Sequence, residues 1–248
     1  MSATLAQGPA EPRKRSASSV YVQIANALRD RIVEHNLAPN TLLPSERELG
    51  EQHGVSRMTA RHALTLLENE GYIYRRPPRG TFVAEPRVSF RIGSFTTEIE
   101  RLGREPGADV VWAELVDPPG AAREAFELSD GELVVGLQRV RRADDEPIAI
   151  ENTYLRHDLV PGFLDHDLHG SLWTVLREHY GIAPKTAHAS IESIVLDDAS
   201  CARLRVRSAS PGILLTRLTR DSSGRCFEYA RDIYRADRAK FEIDANLG

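Results

Sequence analysis

The sequence predicts an α+β fold in two parts: a small helical unit closed by a β-hairpin, then a larger antiparallel sheet carrying helices. Over residues 20–83, three stretches with helical spacing precede two short strand-like runs around an Arg/Pro-rich tip. From residue 93 onward, longer strand-like runs alternate with short helical ones. The charge divides in the same way. The 248 residues carry a formal net charge of -4, yet residues 1–90 hold 12 basic against 9 acidic side chains, a net of +3. Residues 91–248 hold 20 against 27, a net of -7. Such asymmetry points to two domains with different partners.

Composition excludes several classes. A hydrophobic share of 41% supports a sizeable core. No apolar run approaches the ~20 residues of a membrane helix, so no membrane partner is expected. The N-terminus lacks an apolar signal core and carries Arg13, Lys14 and Arg15, so a cytoplasmic chain is expected. Cys201 and Cys226 fit no metal spacing and read as free thiols near a core. His157, His166 and His169 come closest to a histidine cluster and read as surface residues, with no metal implied. Walker, G-x-S-x-G and G-x-G-x-x-G patterns are absent, so neither a cofactor nor a catalytic residue is implied.

Residues 1–18 are polar and aperiodic, and read as a disordered arm. Ile24, Leu28 and Ile32 give residues 20–35 one apolar helical face, and Pro39 and Asn40 close it. Ser45 caps a second helix, with Glu48 completing a capping box, and Gly54-Val55 keeps it short. Ser56 caps a third, running to about Glu70, with an inward stripe of Ala60, Ala63, Leu64 and Leu67. Gly71 ends it. Tyr72–Tyr74 and Thr81–Val83 read as strands flanking a tip of Arg75-Arg76-Pro77-Pro78-Arg79-Gly80. Three helices and a hairpin in this order make a winged helix-turn-helix, expected over residues 19–84. Arg57 and Arg61 lie one turn apart on the third helix, away from the apolar stripe, beside Ser56 and Thr59. The first turn of a recognition helix is the part that reaches base edges. Five arginines (57, 61, 75, 76, 79) thus gather on one helix turn and one hairpin tip.

Leu43-Pro44-Ser45-Glu46-Arg47-Glu48-Leu49, Gly54-Val55-Ser56-Arg57-Met58-Thr59-Ala60-Arg61 and Gly80-Thr81-Phe82-Val83 resemble the DNA-binding domain of GntR-type transcription regulators. The resemblance implies that Arg47, Arg57, Thr59 and Arg61 contact operator DNA, and that the wing tip at Arg79 and Gly80 enters the minor groove. Pro78 departs from the family's glycine there, which stiffens the tip.

Residues 85–92 read as a linker. Beyond it, strand-like runs cover 108–116, 132–142, 147–156, 187–196, 212–220 and 226–235, and helix-like runs cover 96–104, 119–127, 171–180 and 198–205. Short loops at 142–147 and 220–225 imply antiparallel hairpins. In the second strand, Leu133, Val135 and Leu137 face inward, and Arg139 and Arg141 continue that face. Buried arginines need a counter-charge. A three-residue loop at Asp144–Glu146 would set Arg139 opposite Glu151 and Arg141 opposite Ala149. An internal ion pair with Glu151 and a bound anion are both consistent with this pattern.

Ser94-Phe95-Thr96-Thr97-Glu98, Arg139-x-Arg141…Glu146-Pro147…Glu151, Ser171-Leu172-Trp173 and Glu228…Tyr234-Arg235-x-Asp237-Arg238 resemble the UTRA effector domain of the HutC branch of the same family. Over residues 93–248 this implies a chorismate-lyase-like effector-binding and dimerisation domain, in a homodimer. Arg139, Arg141 and Ser171 are then expected to hold a phosphate, Glu151, Glu228 and Tyr234 a sugar, and Thr96 to add a contact. Trp173 departs from the family's tyrosine and brings an indole donor without a hydroxyl. The sequence thus reads as a repressor released from a palindromic operator by a small anionic effector such as an (amino)sugar phosphate. Two other readings are a lyase built on the second domain and a constitutive DNA-binding protein in which Glu151 fills the pocket.

Overall fold

The computed structural model describes residues 17–34 and 37–244, and the chain divides into two compact units at Glu85/Pro86. In the first, α1 (Ala17–Glu34), α2 (Glu46–His53) and α3 (Arg57–Asn69) pack around one core. The helix begins at Ala17, inside the stretch read as a disordered arm; residues 1–16 lie outside the described residues. Ile24, Leu28 and Ile32 meet Ala60, Ala63, Leu64 and Leu67, all buried, so the apolar stripes read from spacing do face each other. The capping box is present: Ser45 Oγ accepts from Glu48 N at 3.3 Å, and Glu48 Oε2 accepts from Ser45 N at 2.8 Å. Gly54 closes α2 at φ 61°, and Gly71, at φ 77°, follows α3.

The wing is β2 (Ile73–Arg76) paired antiparallel with β3 (Gly80–Val83). A two-residue strand β1 (Leu42–Leu43) adds to the outer edge of β3, a pairing that the sequence reading lacks. It explains Gly80, since a Cβ there would stand 2.8 Å from Leu42 Cδ1, at a φ of 122°.

The second unit is a six-stranded antiparallel sheet in the order β5 (Pro106–Val116), β6 (Val134–Ala143), β7 (Glu146–Arg156), β10 (Cys226–Arg235), β9 (Pro211–Arg220), β8 (Thr186–Val195). Among the described residues, four α-helices accompany it: α4 (Phe95–Arg101), α5 (Gly120–Phe126), α6 (Leu172–Tyr180) and α7 (Asp198–Leu204). The stretch read as a linker holds β4 (Val88–Phe90), which pairs in parallel with β11 (Ala239–Phe241). Its cause is apolar: Val88 and Phe90 are buried, and Phe90 packs on Phe95, Tyr234 and Phe241.

Two details of the β6–β7 hairpin differ from the reading. Leu133 precedes β6 and is exposed rather than inward. The turn has two residues, with Ala143 opposite Glu146, because Asp144 adopts a left-handed φ of 54° and its carboxylate accepts from Arg104 Nε and Glu105 N. A bulge after Arg141 then restores the expected register, Arg141 opposite Ala149 and Arg139 opposite Glu151.

Candidate functional site: a recognition-helix face and an arginine-lined cavity

On the first unit, Ser56 caps α3 and its Oγ accepts from Thr59 N at 3.2 Å, while the two hydroxyls lie 2.9 Å apart. Arg57 and Arg61 converge on Glu46 at the start of α2. Arg57 Nε donates to Oε2 at 3.0 Å, and Arg61 Nε donates to Oε1 at 2.9 Å. The Arg61 hydrogen bond, with Arg57 adding, holds Glu46 below the usual carboxylate range against partial burial. The Arg57 side chain is nonetheless 72% exposed. Arg47 stands apart, paired along α2 with Glu51 at 2.9 Å. Arg76, Arg79 and Gly80 are exposed at the wing tip. Arg75 is not: it turns back, its Nη2 donating to Thr65 Oγ1 at 3.1 Å and to the Arg61 carbonyl at 3.3 Å. It ties the wing to α3, so the expected cluster of five is four outward arginines and one brace.

In the second unit, Thr96, Arg139, Arg141, Glu151, Ser171, Trp173, Glu228 and Tyr234 all line one cavity. The starts of α4 and α6 form one wall, through Ser94–Thr96 and Ser171–Trp173, and β6, β7, β9 and β10 form the floor. An inner chamber of about 20 Å³ has room for one water-sized group. An outer cleft of about 460 Å³, within the range of small-molecule sites, adjoins it and shares Thr96, Arg141 and Ser171.

The arginines are not equivalent. Arg139 is fully buried and committed: it donates to Glu151 Oε2 through Nε, at 2.7 Å, and through Nη2, and its Nη1 donates to the carbonyls of Leu168 (2.7 Å) and Gly170 (2.8 Å). Arg141 is looser. Its Nη2 donates to Thr96 Oγ1 at 2.9 Å, its Nη1 reaches Glu151 at 3.4 Å, and its guanidinium lies over the Phe95 ring. Burial pushes Glu151 up, but Arg139 and Arg141 outweigh it and hold the carboxyl at about 2. Glu228 is equally occupied, accepting from Trp173 Nε1 at 3.0 Å, Thr219 Oγ1 at 2.5 Å and Arg217 Nε at 3.2 Å. The Trp173 departure therefore has a local reason: the indole satisfies Glu228.

Arg217 and Asp232 also line the cavity and were missed by the sequence reading. Asp232 shares strand parity with Glu228 and Tyr234, which is a usable signal. Arg217 stands among Leu214, Leu215 and Leu218, with nothing local to single it out. The Arg235–Asp237–Arg238 part of the quoted motif lies outside the cavity: Arg235 Nη1 donates to the Pro147 carbonyl, and Arg238 Nε to Glu146 at 2.7 Å, fastening the end of β10 to the hairpin. Among the described residues, no group of three His, Cys, Asp or Glu is placed to hold a metal, and no helix is long and apolar enough to cross a membrane. His166 packs on His179 and Tyr180, and Cys201 and Cys226 are buried free thiols.

Comparison with known proteins agrees with this division. Residues 20–83 match the family of bacterial regulatory proteins of the gntR type, and residues 101–240 match the UTRA domain. The HTH-type transcriptional repressor NagR of Bacillus subtilis is 32% identical over 92% of this chain and 95% of its own length. The mannosyl-D-glycerate transport/metabolism system repressor MngR of Escherichia coli is 26% identical, over 91% and 95%. The crystal structure of PhnF from Mycobacterium smegmatis superposes with a TM-score of 0.65 at 28% identity, covering 90% of this chain and all of that one.

Proposed function

The chain belongs to the GntR family of transcription regulators, with a UTRA domain as its second unit, and from that premise we propose that it is a repressor released from its operator by a small anionic metabolite, best matched by a phosphorylated sugar. As a member of this family it is a DNA-binding regulator, not an enzyme. Two copies present their α3 helices to the two halves of a palindrome. Arg57 and Arg61 exchange Glu46 for guanine edges or phosphates, Ser56 and Thr59 sit beside them, Arg47 contacts the flanking backbone, and Arg79 and Gly80 probe the minor groove.

The observation that carries the effector reading is the placement of Arg141, Thr96 and Ser171 where the small chamber meets the larger cleft. A guanidinium with two hydroxyls, one at the start of each of two helices, suits a phosphate or carboxylate. Arg139 then acts by fixing Glu151 and the 168–170 loop rather than by holding the ligand. Binding shifts the dimer between operator-competent and incompetent states. A thermal-shift screen of sugar phosphates on wild type and Arg141→Ala tests this. Stabilisation of the wild type alone is expected, and equal shifts in both count against the site. The commitment of Arg139 to Glu151 favours a second reading, a constitutive binder, which predicts that no anion shifts the wild type at all.

A further inference from the structure

The inner chamber contains one buried acid that the effector reading leaves unused. Asp232 is 2% exposed, and its Oδ1 is buried without a hydrogen-bond partner. Among the described residues, it is the only such atom that lines the chamber. The sheet register explains its surroundings. Ala230 lies opposite Thr153 and Ile233 opposite Ile150, which puts Asp232 across from Glu151. Two carboxylates facing each other on adjacent strands repel. Glu151 has the better claim to a charge, because Arg139 and Arg141 both reach it. Asp232 has Arg217, 3.8 Å away and shared with Glu228, a pull from Arg139, which is already engaged by Glu151, and the backbone N–H of Asn152. Tyr234, on the same strand, adds no cation.

We propose that Asp232 is the specificity-determining residue of the chamber: held protonated, it donates a hydrogen bond to a single uncharged oxygen, a hydroxyl or amide carbonyl, that a ligand anchored at Arg141 projects inward. Size supports this, since about 20 Å³ admits one oxygen-bearing group and no ring. Charge supports it as well. With Asp232 neutral, Arg139, Arg141 and Arg217 face two carboxylates, and the surplus cation suits an anionic ligand. Burial pushes Asp232 up to about 8; Arg217 and the Asn152 backbone N–H oppose this, and Glu151 and Glu228 add to it. The ligand class is therefore an anion bearing a neutral oxygen at its far end. An amine in that place would want a charged Asp232. The assignment rests on the anion-sensor reading for its ligand, and its proton can be read without any ligand.

The test uses the full-length protein with Asp232→Asn and Asp232→Ala. In ¹³C-aspartate NMR of the free protein, one carboxyl should titrate near pH 8 and vanish in Asp232→Asn. A signal from Asp232 titrating below pH 5 would overturn the proposal whatever the ligand. Calorimetry would follow with glucose 6-phosphate, N-acetylglucosamine 6-phosphate and inorganic phosphate. A phosphate ester has a second pKa of about 6 and stays dianionic from pH 7 to 9. Over that interval wild-type affinity for the better sugar phosphate should fall about tenfold, and Asp232→Asn should bind equally well at both pH values. Asp232→Ala should lose about tenfold at pH 7. Inorganic phosphate should not distinguish the three proteins. Loss of sugar-phosphate binding in Asp232→Asn would overturn the proposal, because an amide donates as a protonated acid does. A wild type that binds no probe while Asp232 titrates near pH 8 would overturn the phosphate-ester reading and its ligand oxygen, leaving the buried proton in place.

Discussion

Both units contain a glutamate bridging two arginines two or four residues apart, and the two bridges do opposite work. On the first unit Glu46 joins Arg57 and Arg61 at the surface, where the Arg57 side chain is 72% exposed. In the second, Glu151 joins Arg139 and Arg141 beneath a cavity, with Arg139 at 0%. A solvated bridge contributes little to stability and opens readily, so its arginines remain free to take another partner, as the proposed DNA contact requires. A buried bridge cannot lose one member without leaving the rest under-compensated in a poor solvent. The Glu46 bridge can therefore be opened without unfolding the first unit, whereas part of the second unit's cavity lining is also framework.

The sharpest way to break this contrast is Arg139→Ala. Taking from Glu151 its closer partner, and from the Leu168 and Gly170 carbonyls their donor, should cost roughly 3–5 kcal/mol in urea denaturation, with the second unit's transition affected first. Arg139→Met combined with Glu151→Gln should recover most of it, and a silent Arg139→Ala would remove the distinction between the bridges. Arg57→Ala should do the reverse. Operator affinity should fall roughly ten- to a hundredfold per head in a band shift, with the melting temperature unchanged. A shared loss of folding would show that the surface bridge is structural too.

A further effect separates the units by pH. The Asp232 carboxyl lies at about 8 when folded and near 3.8 when free, so the unfolded chain releases its proton first. The resulting stability is present below 3.8 and is lost as pH rises toward 8. The melting temperature of Asp232→Asn minus that of wild type should therefore grow from pH 5 to 8 and then level off; a constant difference would contradict it. The least effect is expected at the α2 cap, where Ser45→Ala should cost about 1 kcal/mol in the first unit alone, measured by chemical denaturation.

Much of this was legible because local chemistry and the global fold agree. Ser45, Glu48, Gly54 and Ser56 punctuate helices whose apolar stripes are the real core. Strand parity alone put Arg139 and Arg141 on the cavity face. What was hidden depends on distant partners. Val88–Phe90 is too short to read as a strand without Ala239–Phe241, far along the chain. Glu46 gives no sign on α2 that it receives both Arg57 and Arg61. Arg75 looks like a tip residue until Thr65 on α3 is brought beneath it. The hairpin register survived a wrong loop length only because a bulge compensates for the tighter turn at Asp144.

The most direct test of the account joins both units in one titration. An operator is first selected from a random duplex library with the full-length protein, and its affinity is then followed by fluorescence anisotropy as sugar phosphates are added. The account predicts a palindromic selected sequence, and at least one sugar phosphate that weakens wild-type binding about tenfold or more, a typical allosteric coupling, while leaving Arg141→Ala on the DNA. A palindrome bound with the same affinity whatever phosphate ester is present would contradict it.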